Sequence, residues 1–164
     1  MPEIPRKTVS RISNEILSTQ VCGREGSRSL NCWSWVQFLV KHGADTNNQT
    51  DGKTNLMLAA EAMNLDVVDR LIELGANVNA KGNHGWTALH SAVSTSRFTS
   101  NSLGVLIVWQ LLNHGADCRA VTEAGETPLD IAILTQSQDM VGGRYQYWSK
   151  AIECLEAAAR GECG

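Results

Sequence analysis

Five cysteines (Cys22, Cys32, Cys118, Cys154 and Cys163) and four histidines (His42, His84, His90 and His114) carry what nucleophilic or metal-ligating chemistry this chain has. A structural zinc site draws its ligands from close pairs such as C-x-x-C, and a zinc hydrolase from H-E-x-x-H. Neither spacing occurs, and Cys154 and Cys163 stand far along the chain from Cys22, Cys32 and His42, so no metal site is expected. Cys118 follows His114 by four residues across Gly115. An imidazole beside a thiol is the arrangement that makes a thiolate nucleophile, which keeps an enzyme with a thiol site near Cys118 as the alternative function. The plainer reading is a small, partly buried cysteine. Gly142-Gly143 lacks the Lys-Ser/Thr that completes a phosphate-cradling loop. No catalytic residue and no cofactor is expected.

Composition narrows the classes further. Fourteen basic against 17 acidic residues give a net charge of −3, which does not suit a nucleic-acid binder. The longest apolar run, Leu103 to Trp109, is seven residues and includes Gly104, against about 20 for a membrane span. The opening MPEIPRKTVSRIS has no apolar block behind its basic residues, so a secretory leader is not expected. An odd cysteine count then points to free thiols in a reducing compartment, the cytoplasm. Asn48-Gln49-Thr50 fits a glycosylation acceptor by letter only.

The elements that position these residues emerge from internal repetition. FLVKHGADTN (38–47), LIELGANVNA (71–80) and LLNHGADCRA (111–120) share an ending, and DGKTNLMLAA (51–60), HGWTALHSAV (84–93) and AGETPLDIAI (124–133) share an opening. Gly52 and Gly85 lie 33 residues apart, and Gly43 and Gly75 lie 32 apart. The sequence resembles the ankyrin-repeat family, whose unit is about 33 residues and carries T-P-L-H-x-A. The resemblance runs over about residues 35–160. It implies an all-α repeat solenoid: a stack of about four helix–turn–helix units with short β-hairpin fingers and atypical capping helices.

The letters have local reasons. Thr54, Thr87 and Thr127 stand where a hydroxyl can cap a helix, and Pro128 fits the first turn. Leu56, Leu89 and Leu129 should point inward, while Ala59, Ala92 and Ala132 permit close helix approach. Val67, Val68, Leu71 and Ile72 give one apolar face, closed by Gly75 as a left-handed cap. Ile107, Val108, Leu111, Leu112 and Gly115 repeat it. The resemblance implies that His90 bonds the Thr87 hydroxyl. Met57 and Asp130 at the matching positions predict an incomplete network, and Asn55 and Ala88 replace the usual proline.

The expected layout is a capping helix and loop over 1–34, built on Ile12, Ile16, Leu17 and Val21, and repeats over 35–160. These divide into the second half of repeat 1 (35–48), repeat 2 (49–81), repeat 3 (82–121) and repeat 4 with the C-terminal cap (122–160). A frayed tail follows at 161–164. Gly85 to Gly125 spans 40 residues, so repeat 3 holds an insertion near 94–104, and repeat 4 holds one near 136–147. The last helix is expected from about Ser149 to Arg160.

The resemblance implies recognition of one or more proteins by finger tips and exposed inner-helix positions, with no nucleic acid, no membrane and a monomeric state. The tip positions are Thr50, Asp51, Lys53, Asn83, His84, Trp86, Glu123 and Glu126, and the inner-helix positions are Glu61, Ser94, Thr95 and Leu134. Trp86 is expected to be mostly exposed, either as an aromatic anchor or lying across the neighbouring finger. Lys53 and Lys81 come early and Glu123 and Glu126 late, which suits a partner with one basic and one apolar patch. The insertions offer a second surface with Phe98, Arg144, Tyr145 and Tyr147 as anchors. Asn79 matches the asparagine that oxygen-dependent hydroxylases modify in ankyrin repeats. It also suits a purely structural tie.

Overall fold

The structure is a computed structural model that describes residues 45–94, 103–138 and 145–161. Its elements are β1 (Gln49–Thr50), β2 (Lys53–Thr54), α1 (Asn55–Glu61), α2 (Leu65–Glu73), α3 (Ala88–Ser94), α4 (Leu103–Asn113), α5 (Pro128–Gln138) and α6 (Tyr145–Arg160). A 3-10 turn, Asn83–Gly85, precedes α3. Helices α1, α3 and α5 pack side by side as an inner layer, and α2, α4 and α6 form the outer layer behind them.

Helix starts follow the threonines. In α1 the Thr54 hydroxyl accepts from Met57 N at 3.2 Å, and in α5 the Thr127 hydroxyl accepts from Asp130 N at 3.2 Å. Asn64 does the same for α2, with its Oδ1 3.3 Å from Val67 N. Helix ends follow the glycines. Gly75 lies at φ +84°, its N–H bonds Ile72 O, and the N–H of Ala76 reaches Leu71 O. Gly115 and Ala116 repeat both bonds onto Leu112 and Leu111. This double closure satisfies carbonyls that the ended helix leaves open.

One apolar cluster runs through the stack. Leu56, Leu89, Val68, Ile107, Val108, Leu111 and Leu155 are sealed in it, with Ala59, Ala92 and Ala132 where inner helices touch. Each unit therefore buries its apolar face on its neighbours, as repeat architectures require.

Three expectations change. Among the described residues only the first finger is a strand pair, with Gln49 opposite Thr54 and Thr50 opposite Lys53. The others are turns closed by Gly82 N to Trp86 O (2.8 Å) and Thr122 N to Glu126 O (3.0 Å). The last helix starts at Tyr145 rather than Ser149, because no proline or glycine stops it between those residues. Helix α5 runs on through Gln138. Its polar end reads as loop in the sequence, but the Thr135 and Ser137 hydroxyls bond back onto Ile131 O and Leu134 O within the helix. Residues 136–138 of the expected insertion are thus helical in α5, and residues 145–147 are helical in α6. The first capping helix and the first half-repeat up to 44, the residues 95–102 and 139–144, and the tail from 162 lie outside the described residues.

Candidate functional site

The finger tips form a tied row. Asp51 (φ +51°) and Gly52 (φ +73°) make the two-residue turn of the first hairpin, and His84 (φ +56°) with Gly85 (φ +73°) repeats that backbone at the second tip. Asn83 N–H then bonds Gly52 O at 2.7 Å, and Glu123 N–H bonds His84 O at 2.8 Å, so each tip hangs on the one before. Side chains reinforce the row. Asn83 Nδ2 donates to Asp51 O at 3.1 Å, Gln49 Nε2 donates to Lys81 O at 3.0 Å, and His84 Nδ1 lies 3.2 Å from Glu123 Oε2. The approach requires Gly82, where a Cβ would come within 2.3 Å of Gly52 O.

Below the tips, the loops are laced by amides. Asn47 Oδ1 accepts from Asn77 N at 2.7 Å. Asn79 Nδ2 donates to Gly115 O at 2.8 Å, and its Oδ1 accepts from Asp117 N at 2.7 Å. Asn79 is exposed yet holds adjacent repeats through both amide atoms.

Buried polar contacts sit behind the row. His90 is sealed in the core. Its Nδ1 faces Thr87 N (3.1 Å) and Oγ1 (2.8 Å), and its Nε2 faces Glu126 O in the next repeat (3.3 Å). Burial pushes its imidazole pKa down. The network is less incomplete than the sequence suggests. Met57 Sδ lies 3.4 Å from Thr54 N, and Asp130 Oδ2 accepts from both Thr127 N (2.9 Å) and its hydroxyl (2.6 Å). All three side chains close the reciprocal cap. His90 adds the link to the following repeat. Those Thr127 bonds hold the Asp130 carboxyl below the usual carboxylate range.

The predicted contact residues divide by environment. Asp51, Lys53, Asn83, His84 and Glu123 are exposed along the tips, with Thr50 and Glu126 half-buried. Lys53 and Glu61 engage each other at 2.6 Å and so form a neutral pair on the surface. Ser94 is half-buried, its hydroxyl on Ser91 O at 3.1 Å. Leu134 is 50% exposed on α5. Trp86 departs from expectation. It is half-buried, packed against the core, with its ring 6.1 Å from that of His90. Thr95, Phe98 and Arg144 lie outside the described residues, as do the side chains of Tyr145 and Tyr147.

The inner face also holds a residue the sequence reading missed. Ile133 is 46% exposed beside Leu134. With Asp130 and Ser137 these form one solvent-facing stripe of α5, while Ile131 and Ala132 turn inward. The sequence places Leu134 on the exposed side, but Ile133 sits within the apolar run Ile131–Leu134, and only helical periodicity separates its two faces. Glu123, Glu126 and Asp130 place three carboxylates at this end of the concave side. Cys118 is half-buried against the core and His114 exposed. Among the described residues no helix is long and apolar enough to cross a membrane, and no three His, Cys, Asp or Glu side chains cluster as a metal site.

Known sequences match the same spans. A family model described as ankyrin repeats (3 copies) matches residues 27–103, and one described as ankyrin repeat matches 84–123. Over 141 residues, 75% of this chain and 6% of the relative, the sequence is 36% identical to Neurogenic locus notch homolog protein 1 of Danio rerio. Over the same span it is 39% identical to the Mus musculus protein of that name, of which it covers 5%. It is 35% identical to Ankyrin repeat and SOCS box protein 6 of Homo sapiens over 114 residues, 66% of this chain and 26% of that one. The chain thus spans about a quarter or less of these relatives' lengths.

Proposed function

Because the chain belongs to the ankyrin-repeat family, which serves as a protein-interaction module, we propose that it docks one partner protein across its finger tips and the concave face of its inner helices. The observation that supports this reading is the α5 stripe, where Ile133 and Leu134 stand in water beside Glu123, Glu126 and Asp130. An exposed apolar pair with a carboxylate rim fits a partner segment that offers apolar side chains among basic ones. The chain acts in this proposal as a monomeric cytoplasmic adaptor, inhibitor or effector, by binding rather than by catalysis. Phe98, Arg144, Tyr145 and Tyr147 are a second surface of the same proposal, and Asn79 a modification site that intact-mass analysis for an added oxygen tests.

Affinity capture from source lysate, with mass spectrometry, compares wild type with an Ile133→Ser, Leu134→Ser variant and with His84→Asn, which tolerates the left-handed backbone. A partner retained by wild type and lost by both variants, at unchanged melting temperature, supports the concave-face reading. Retention by both directs attention to the second surface. Reproducible absence of any partner counts against the proposal.

A further inference from the structure

The outer layer carries a feature that the concave face does not account for. Setting the buried leucines Leu71, Leu111 and Leu155 of α2, α4 and α6 in one row places Asp66, Leu106 and Lys150 in a second row on the solvent side. Asp69, Trp109 and Glu153 make a third. The flanking helices fill both solvent rows with charge. The middle helix fills them with Leu106, 42% exposed, and Trp109, 53% exposed, three residues apart on one stripe. Packing explains neither residue, since Ile107, Val108 and Leu111 already supply the inward face of α4. A helix that turns a tryptophan to water where the next helix turns the exposed Glu153 presents a contact surface.

Charge decides which partner fits. On the α6 side, Lys150 is paired with Glu153 at 3.3 Å and Arg160 lies 3.9 Å from Glu156, so that edge is balanced within its own helix. On the α2 side, Arg70 pairs with Glu73, while Asp66 and Asp69 form no ion pair among the described residues. Asp69 Oδ1 is sealed from solvent without a hydrogen-bond partner. The Asp69 carboxyl is held above its usual range, first by burial and then by the charges of Asp66 and Glu73. Gln110 and His114 oppose that shift. A cation brought to this edge would meet the exposed Asp66 carboxylate, with the half-buried Asp69 carboxylate one turn along the same helix.

We propose that the convex face of α2 and α4 docks a basic segment of a second protein. An arginine or lysine of that segment lies over the Trp109 indole with its charge toward Asp66 and Asp69, and an adjacent apolar side chain covers Leu106. This surface is separate from the concave one and does not depend on it.

The test pans a random peptide library on the full chain and counter-selects on a Leu106→Ser, Trp109→Ser variant. Both side chains are exposed, so the variant keeps the wild-type melting temperature, and Trp109→Arg serves as a second, independent face variant. The expected peptides carry Arg or Lys next to an apolar residue. Their affinity falls at least about tenfold on either face variant and on an Asp66→Asn, Asp69→Asn variant, and it weakens with salt. The proposal is overturned if no peptide depends on this face, if the dependent peptides are acidic or purely apolar, or if they ignore the asparagine changes. It is also overturned if wild type dimerises through Trp109 in sedimentation, which would assign the face to a second copy. Peptides lost on the Ile133→Ser, Leu134→Ser variant alone report on the concave face, so the two readings fail separately.

Discussion

His90 Nε2 lies 3.3 Å from the carbonyl oxygen of Glu126, so one sealed imidazole joins the third repeat to the fourth. The Thr87 N–H at Nδ1 makes that nitrogen the acceptor, which leaves Nε2 to carry the proton and donate. The folded state thus wants this ring neutral. Its pKa is lowered from 6.5 chiefly by burial, so between the folded and unfolded values the unfolded chain binds the extra proton. The stability from this ring is full above about pH 6.5 and is lost as pH falls below it. Thermal melts from pH 8 to pH 5 are expected to show the decline, and His90→Gln to flatten it while lowering stability by about 2 kcal/mol at pH 8. A wild-type melting temperature unchanged to pH 5 would contradict the assignment.

Two glycines with nearly equal backbones should respond differently to alanine. Gly52 and Gly125 sit at φ +73° and +79°. A Cβ on Gly125 meets nothing within 4 Å, whereas one on Gly52 would lie 1.9 Å from Asn83 Cγ. Gly125→Ala should cost only the left-handed strain, about 1 kcal/mol. Gly52→Ala should cost clearly more, because Asn83 must leave Asp51 O. A double-mutant cycle with Asn83→Ala in urea melts is expected to recover the excess. Equal costs at the two glycines would place Asn83 elsewhere.

The phased Thr, Leu, Ala and Gly positions made the stack legible, because each has a local backbone or packing reason that needs no partner. The contact of His90 with Thr87 was legible through the resemblance to the family. What escaped depended on contacts across repeats. The partial burial of Trp86 comes from its packing on the core beside the His90 ring. The exposure of Ile133, Leu106 and Trp109 depends on which side of each helix the stack covers. A repeat alignment could have revealed Leu106 and Trp109, since their rows hold Asp66 and Asp69 in the preceding helix.

Proline at the first turn of α1 should strengthen the chain. Asn55 occupies that position, 3% exposed, with Oδ1 buried and without a hydrogen-bond partner. Thr54 before it lies at ψ 161°, which a following proline accepts. Asn55→Pro removes an orphaned acceptor and pre-sets the backbone, so a gain of about 1 kcal/mol is expected in urea unfolding. Ala88→Pro should gain less, since alanine leaves no orphan. A loss in both variants would mean that the ring meets the neighbouring helix.

Trp86 and His84 should separate stability from recognition. His84 projects from its tip with 78% of its side chain exposed, and its contact is Glu123 at 71% exposure. A pair that wet contributes little to folding, so His84→Asn should leave the melting temperature within a degree or two of wild type. Trp86 rests on the core beside His90. Its truncation to alanine removes a half-buried indole and opens the buried imidazole to water, at about 2 kcal/mol. Loss of partner binding by Trp86→Ala should therefore diminish on cooling as the fold recovers, whereas loss by His84→Asn or Leu134→Ser should persist at all temperatures. Binding by Trp86→Ala that stays weak well below its own melting transition would show that the indole touches the partner directly.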